Sequence, residues 1–278
     1  MAPYTPKLSV CPGGAVARLV SRRHHLCAVV ALLGLAATVA AEPPPPDRRS
    51  GYEFMSRETR AMQDDDTANP GVLSVLEGAT LWGRKAGAAG RACADCHGDA
   101  RVTMKGVAAR HPAFDPARGR PVSLEQRIIA CRVERQQAPA PPWESRELLA
   151  LTAYVARQSR GLPIDVTLDA RTQPFVDAGR ATYERRQGQL NLACGQCHDA
   201  NWGRQLAGNV IPQAHPTGYP LYRLEWQSLG SLQRRLRNCL TGMRAEPYDY
   251  GAPEFVDLEL YLMWRARGMT METPAVRP

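Results

Sequence analysis

The stretch Ala92-Cys93-Ala94-Asp95-Cys96-His97 returns 101 positions later as Ala193-Cys194-Gly195-Gln196-Cys197-His198. Two cysteines separated by two residues and followed at once by histidine form the attachment signal for c-type haem. The physical reason is local. Both thiols add to the haem vinyl groups, and the adjacent histidine is then held beneath the porphyrin with an imidazole nitrogen on iron. One such pentapeptide is also compatible with a zinc half-site or a redox dithiol. Zinc needs two further ligands per site, and a thioredoxin-like motif needs a βαβ setting, whereas the doubled motif supplies its whole ligand set twice. Cys93, Cys96, Cys194 and Cys197 are therefore read as covalent attachment points for two haem c groups, with His97 and His198 as first axial ligands.

The repetition extends outward from the motif in both directions. Gly78, Trp82, Arg84, Lys85 and Gly87 meet Gly179, Tyr183, Arg185, Arg186 and Gly188; downstream, His111-Pro112 meets His215-Pro216. Ser123, Leu124, Arg127 and Cys131 then meet Ser231, Leu232, Arg235 and Cys239, and Leu151, Tyr154, Arg160 and Gly161 meet Leu258, Tyr261, Arg267 and Gly268. Each copy reads as a helix before the haem motif, a Gly/Pro-rich loop, a helix carrying a lone cysteine, and a closing helix. In the closing helices Leu148, Leu151, Tyr154 and Val155, and Phe255, Leu258, Tyr261 and Leu262, recur at helical spacing, and Gly161 and Gly268 end them. The predicted fold is mainly α, two tandem cytochrome c-like domains related by internal repeat, over residues 71–165 and 166–278.

Composition is compatible with this fold and excludes others. Of 278 residues, 44% are hydrophobic and 22% charged, close to soluble globular averages. The first 41 residues read as a signal peptide: Lys7, Arg18, Arg22 and Arg23, an apolar run from Leu26 to Val39, then Ala40 and Ala41. That run is too short to span a bilayer, no later segment is a candidate span, and export points to the periplasm. Arg22-Arg23 leaves the Sec and twin-arginine routes both open. The leader also carries half of the formal charge of +8, so the basicity is mild and gives no nucleic-acid footprint. Pro43 to Pro46 opens an extension over residues 42–70 that reads as a flexible tether.

Cys11 and Cys27 fall in the leader, which leaves Cys131 and Cys239 unassigned. Each iron needs a sixth ligand or an open face, and Met104, His111 and Cys131 are available in the first copy, His215, Cys239 and Met243 in the second. A disulfide between Cys131 and Cys239 is the alternative in an oxidising compartment. It would require two equivalent helices to bring their Cα atoms within about 7 Å, whereas one thiolate per haem explains the repetition directly. His111 and His215, each followed by proline, read as loop residues.

The run Cys239-Leu240-Thr241-Gly242-Met243-Arg244-Ala245-Glu246-Pro247-Tyr248 resembles the SoxA family of sulfur-oxidising cytochromes, in its two-haem form. The resemblance implies His97 with Cys131, and His198 with Cys239, as axial pairs. It implies Cys239 as the active-site residue carrying a persulfide, and Arg235, four residues earlier, as a substrate ligand. The implied activity is that of an L-cysteine S-thiosulfotransferase, joining thiosulfate oxidatively to a cysteine of a SoxYZ-like carrier protein. The implied partners are a SoxX-like small cytochrome c subunit in a heterodimer and a cytochrome c that accepts two electrons. Residue chemistry agrees: thiolate is the reactive form of sulfur, nearby cations favour it, and Arg235 lies one helical turn from Cys239. Arg127 has the same spacing from Cys131. The competing expectation is a dihaem electron carrier whose thiolates only set potential; a dihaem peroxidase needs an open sixth position.

Overall fold

In the computed structural model, which describes residues 47–278, the chain enters through a single 3-10 turn at Gly51–Phe54 and helix α1 (Arg57–Asp64). The first repeat runs α2 (Gly71–Gly83), α3 (Cys93–His97), α4 (Ala100–Thr103), a hairpin of β1 (Ala113–Asp115) and β2 (Arg120–Val122), α5 (Leu124–Ala130) and α6 (Arg146–Arg157). The second runs α7 (Gln173–Glu184), α8 (Cys194–His198), a small hairpin β3 (Gln205–Leu206) and β4 (Asn209–Val210), a hairpin of β5 (Leu221–Arg223) and β6 (Ser228–Gly230), α9 (Leu232–Gly242) and α10 (Pro253–Arg265). Strand β7 (Val276–Arg277) returns to pair in parallel with β5. The chain is thus mainly helical, as its periodicity predicts, and the strands are short supports for the helices.

Helix starts follow from caps. Ser123 and Ser231 accept from the amides of Gln126 and Arg234, so both cysteine helices begin at equivalent serines. Pro174 and Pro253 occupy the first turns of α7 and α10, where a missing N–H costs nothing. Beyond α6 and α10, Gly161 and Gly268 take φ of +82° and +80°, a left-handed conformation that suits glycine. The lone cysteine of the first copy departs from expectation: Cys131 opens a π-helical turn, Cys131–Arg135, at the end of α5.

Two glycines set the central packing. A Cβ on Gly78 would lie 2.1 Å from the Ala150 carbonyl oxygen, and one on Gly179 would lie 2.1 Å from that of Asp257. Only hydrogen fits there, so α2 crosses α6, and α7 crosses α10, at backbone contact. One continuous core then joins the repeats, with Trp82, Leu124 and Val155 from the first and Val176, Tyr183, Leu258 and Tyr261 from the second.

The extension is folded where it is described, a correction to its reading as a tether. Arg48 donates to the Arg265 carbonyl at 3.1 Å, buried Asn69 to the Pro274 carbonyl at 2.9 Å, and the Val276 amide to Gln63 Oε1 at 3.1 Å. Its polar groups are satisfied by the far end of the chain, which local composition does not reveal. The signal-peptide assignment and the proline tract lie outside the described residues.

Candidate functional site

The turn before each haem motif is docked on the segment that follows the cysteine helix. Gly87 and Gly188, at φ of +66° and +68°, approach so closely that a Cβ would meet the Gln136 carbonyl at 2.1 Å and the Met243 carbonyl at 2.2 Å. Ala89 donates its amide to the Gln136 carbonyl at 3.2 Å, and Gln189 to that of Arg244 at 3.2 Å. Each Cys-x-x-Cys-His turn is thereby fixed against its own lone cysteine. Behind the motif, Trp82 Nε1 donates to the Gly98 carbonyl at 2.9 Å and the Tyr183 hydroxyl to Asp199 at 2.9 Å, so equivalent aromatics brace the residue after each histidine.

Two clefts result. The first contains Cys93, Cys96, His97, Met104 and Cys131 between apolar walls that include Trp82, Ile128 and Leu151, with Arg91, Arg127, Arg132 and Arg135 also lining it. The second contains His198, His215, Arg235 and Cys239, and Gly51, Phe54 and Met55 of the extension form part of its wall. The residues present suit an apolar macrocycle with two carboxylates: thiols that would attach it, an imidazole and a lone thiol that could hold its metal, and arginines that could pair with its acids. His198 donates Nδ1–H to the Pro212 carbonyl at 2.7 Å, which would leave Nε2 free to hold a metal. Among the described residues, no group of three or more His, Cys, Asp or Glu side chains is arranged to hold a metal ion, so zinc lacks its ligands.

The other sequence candidates separate cleanly. Cys131 and Cys239 are both free thiols. Met243 is 9% exposed and packs with Leu240 and Phe255, outside the lining of the second cleft. His111 lines a small cavity between the repeats, with Nδ1 2.9 Å from the Val107 carbonyl oxygen. His215 does line the second cleft, with Nδ1 2.8 Å from the Arg49 carbonyl; burial pushes its pKa down to about 4, so it is neutral at pH 7.

The two lone thiols differ electrostatically. Burial pushes Cys131 up, and Arg127 offsets only part of this. Burial opposes ionisation of Cys239 too, but a hydrogen bond with His198 and the charges of Arg235 and Arg223 outweigh it and bring the thiol below its usual value. Arg223, on β5, was not legible as a site residue from motif spacing. The signal that finds it is the hairpin alignment, in which β1 and β5 are equivalent and Asp115 of the first repeat stands opposite Arg223 of the second.

The SoxA/TsdA cytochrome c domain model matches twice, over residues 77–164 and 178–271. The chain is 39% identical over 229 residues to the L-cysteine S-thiosulfotransferase subunit SoxA of Pseudaminobacter salicylatoxidans, covering 82% of this chain and 80% of that one. It is 37% identical to the subunit of the same name from Rhodovulum sulfidophilum, with the same coverage. Among solved structures, SoxXA from P. pantotrophus superposes with a TM-score of 0.80 at 31% identity, covering 83% of this chain and 87% of the other. Two haem-motif domains in tandem, a lone cysteine facing each motif, and this similarity over both repeats lead to one conclusion: the chain belongs to the SoxA family of c-type cytochromes.

Proposed function

We propose that this chain is the catalytic subunit of an L-cysteine S-thiosulfotransferase and that Cys239 is its reactive sulfur. The observation that carries the proposal is the difference in the surroundings of the equivalent thiols: Cys239 shares its cleft with Arg223 and Arg235, whereas the arginine four residues before Cys131, Arg127, is paired with Asp115 at 3.1 Å. Names of the relatives agree with it. Two haem c groups would attach, one through Cys93 and Cys96 and one through Cys194 and Cys197, and their irons would be held by His97 with Cys131 and by His198 with Cys239. When bound, the second haem supplies a one-electron acceptor beside the reactive sulfur.

The net reaction joins the terminal sulfur of thiosulfate to the sulfur of a carrier-protein cysteine. An S–S bond forms, the carrier thiol proton goes to solvent, and the two sulfurs give up one electron each. Those two electrons pass to a cytochrome c acceptor. Cys239 acts as a persulfide whose outer sulfur bonds to the terminal sulfur of thiosulfate as the two electrons leave; the carrier thiolate then attacks that terminal sulfur and displaces the persulfide, so the sulfonate stays on the carrier conjugate and the persulfide is regenerated. Arg235, one turn earlier on α9, presents a fork of donors to the sulfonate end of thiosulfate. The carrier is SoxYZ-like, and a SoxX-like subunit completes a heterodimer, a pairing supported by the likeness to SoxXA. Residues 1–41 direct export to the periplasm, and no described helix is long and apolar enough to cross a membrane.

Intact-mass measurement of the haem-loaded protein after exposure to thiosulfate tests the proposal. An additional sulfur on native protein that is missing from Cys239→Ser is expected; equal sulfur loading of both proteins would refute it.

A further inference from the structure

Strands β1 and β5 occupy the same place in their repeats, each opening the hairpin that feeds the serine cap of a cysteine helix. Asp115 pairs with Arg120 in one hairpin and Arg223 with Ser228 in the other, so Asp115 and Arg223 are equivalent positions. In the first repeat the Asp115 carboxylate takes Arg127 at 3.1 Å and Arg118 at 2.7 Å. The arginine four residues before Cys131 is thereby neutralised. In the second repeat the acid is replaced by a second guanidinium, and among the described residues no carboxylate makes an ion pair with Arg235; Glu225, paired with Arg223, acts on it only through its charge.

The consequence is a set of buried donors without acceptors. Arg223 is 8% exposed; its Nη2 reaches Glu225 at 2.9 Å, but its Nε is buried and has no partner among the described residues. Thr217 is 1% exposed and its hydroxyl is likewise buried without a partner there. Both residues line the second cleft together with Arg235 and Cys239, and no Asp or Glu side chain among the described residues lines it. Unmade hydrogen bonds and facing like charges in a shielded site both cost free energy, and a bound anion with several acceptor oxygens removes both costs.

We propose that Arg223 and Thr217 complete, with Arg235, a cradle for the sulfonate group of thiosulfate. This rests on the sulfur-transfer reading above and adds to it the residues that distinguish the second repeat from the first. Three donors from two elements and the loop before β5 fix the three sulfonate oxygens, which leaves the terminal sulfur free to face Cys239. The first repeat contains the same cysteine and the same arginine but fills the anion position with its own carboxylate, so it does not take the substrate.

Calorimetric titration of the haem-loaded protein with thiosulfate, in the absence of any carrier protein, measures the cradle without turnover. Removing one charge-assisted hydrogen bond from a buried anion weakens binding roughly tenfold to a hundredfold, and that loss is expected for Arg223→Gln. Thr217→Val should lose about threefold to tenfold as one neutral hydrogen bond is removed. Arg223→Lys should recover part of the affinity, and Arg223→Asp, which recreates the first repeat's ion pair with Arg235, should bind no better than Arg223→Gln. Native affinity in both Arg223→Gln and Thr217→Val would overturn the proposal. So would unchanged affinity in Arg223→Gln accompanied by an altered haem absorbance, which would assign Arg223 to a haem carboxylate. Coupling by Cys239→Ser with cradle variants still deficient in binding would instead refute the sulfur-transfer reading and leave the anion site standing.

Discussion

Replacing Gly179 with alanine tests whether the backbone contact between α7 and α10 holds the second haem domain in shape. The new methyl would stand 2.1 Å from the Asp257 carbonyl oxygen and 2.8 Å from Tyr261 Cβ. A backbone oxygen cannot rotate away, so the helices must separate by about 1 Å to restore ordinary contact. Overpacking of this kind costs about 1–3 kcal/mol, set against the roughly 1 kcal/mol that alanine gains over glycine within a helix. A net loss of up to about 2 kcal/mol corresponds to a midpoint lowered by up to roughly 8 °C for a unit of this size. Gly83→Ala supplies the control, because Gly83 ends α2 and a Cβ there would meet nothing within 4 Å. Thermal unfolding of the haem-loaded proteins, followed by far-ultraviolet circular dichroism, should place Gly179→Ala below native and Gly83→Ala at or above it. If Gly179→Ala unfolds at or above the native midpoint, the close crossing is not what α7 and α10 depend on.

Arg235→Ala should raise the KM for thiosulfate about tenfold to a hundredfold, the loss of a charged donor to a buried anion, as read from steady-state coupling rates. Glu259 yields a pH prediction: burial, then the neighbouring Glu125 charge, push its carboxyl well above the usual range, and burial pushes Asp257 up to about 6 against the pull of Arg120. Acids with raised pKa bind more protons folded than unfolded, so their contribution is full below about pH 4 and is lost as pH rises through the folded values. Denaturant midpoints of native protein should therefore fall between about pH 4 and 7, and Glu259→Gln should flatten that fall and gain roughly 1 kcal/mol at pH 7. A steeper decline in the variant would contradict the assignment.

The parts legible in the sequence are those fixed by neighbours along the chain. Cys-x-x-Cys-His forms a short helix in each repeat, Ser123 and Ser231 announce their helices, and Gly161 and Gly268 end theirs. What escaped depends on partners far away. Residues 47–70 lack any apolar periodicity of note, and they fold because Asn69 and Gln63 bond to Pro274 and Val276, more than 200 positions on. Arg223 escaped because its meaning lies in hairpin register: only when β5 is laid on β1 does an arginine appear where the first repeat has its neutralising aspartate. The π-helical turn at Cys131 has no signal in residue type, since the residues around it are ordinary helix formers.

The most direct test of Cys239 as the reactive sulfur compares two single substitutions at equivalent positions. Haem-loaded Cys239→Ser and Cys131→Ser are each supplied with thiosulfate, a carrier protein bearing a free cysteine, and oxidised cytochrome c, and the conjugated carrier is quantified by mass spectrometry. No conjugate with Cys239→Ser and substantial conjugate with Cys131→Ser is the predicted result. Conjugate formed by Cys239→Ser at the native rate would contradict the account and leave a dihaem electron carrier.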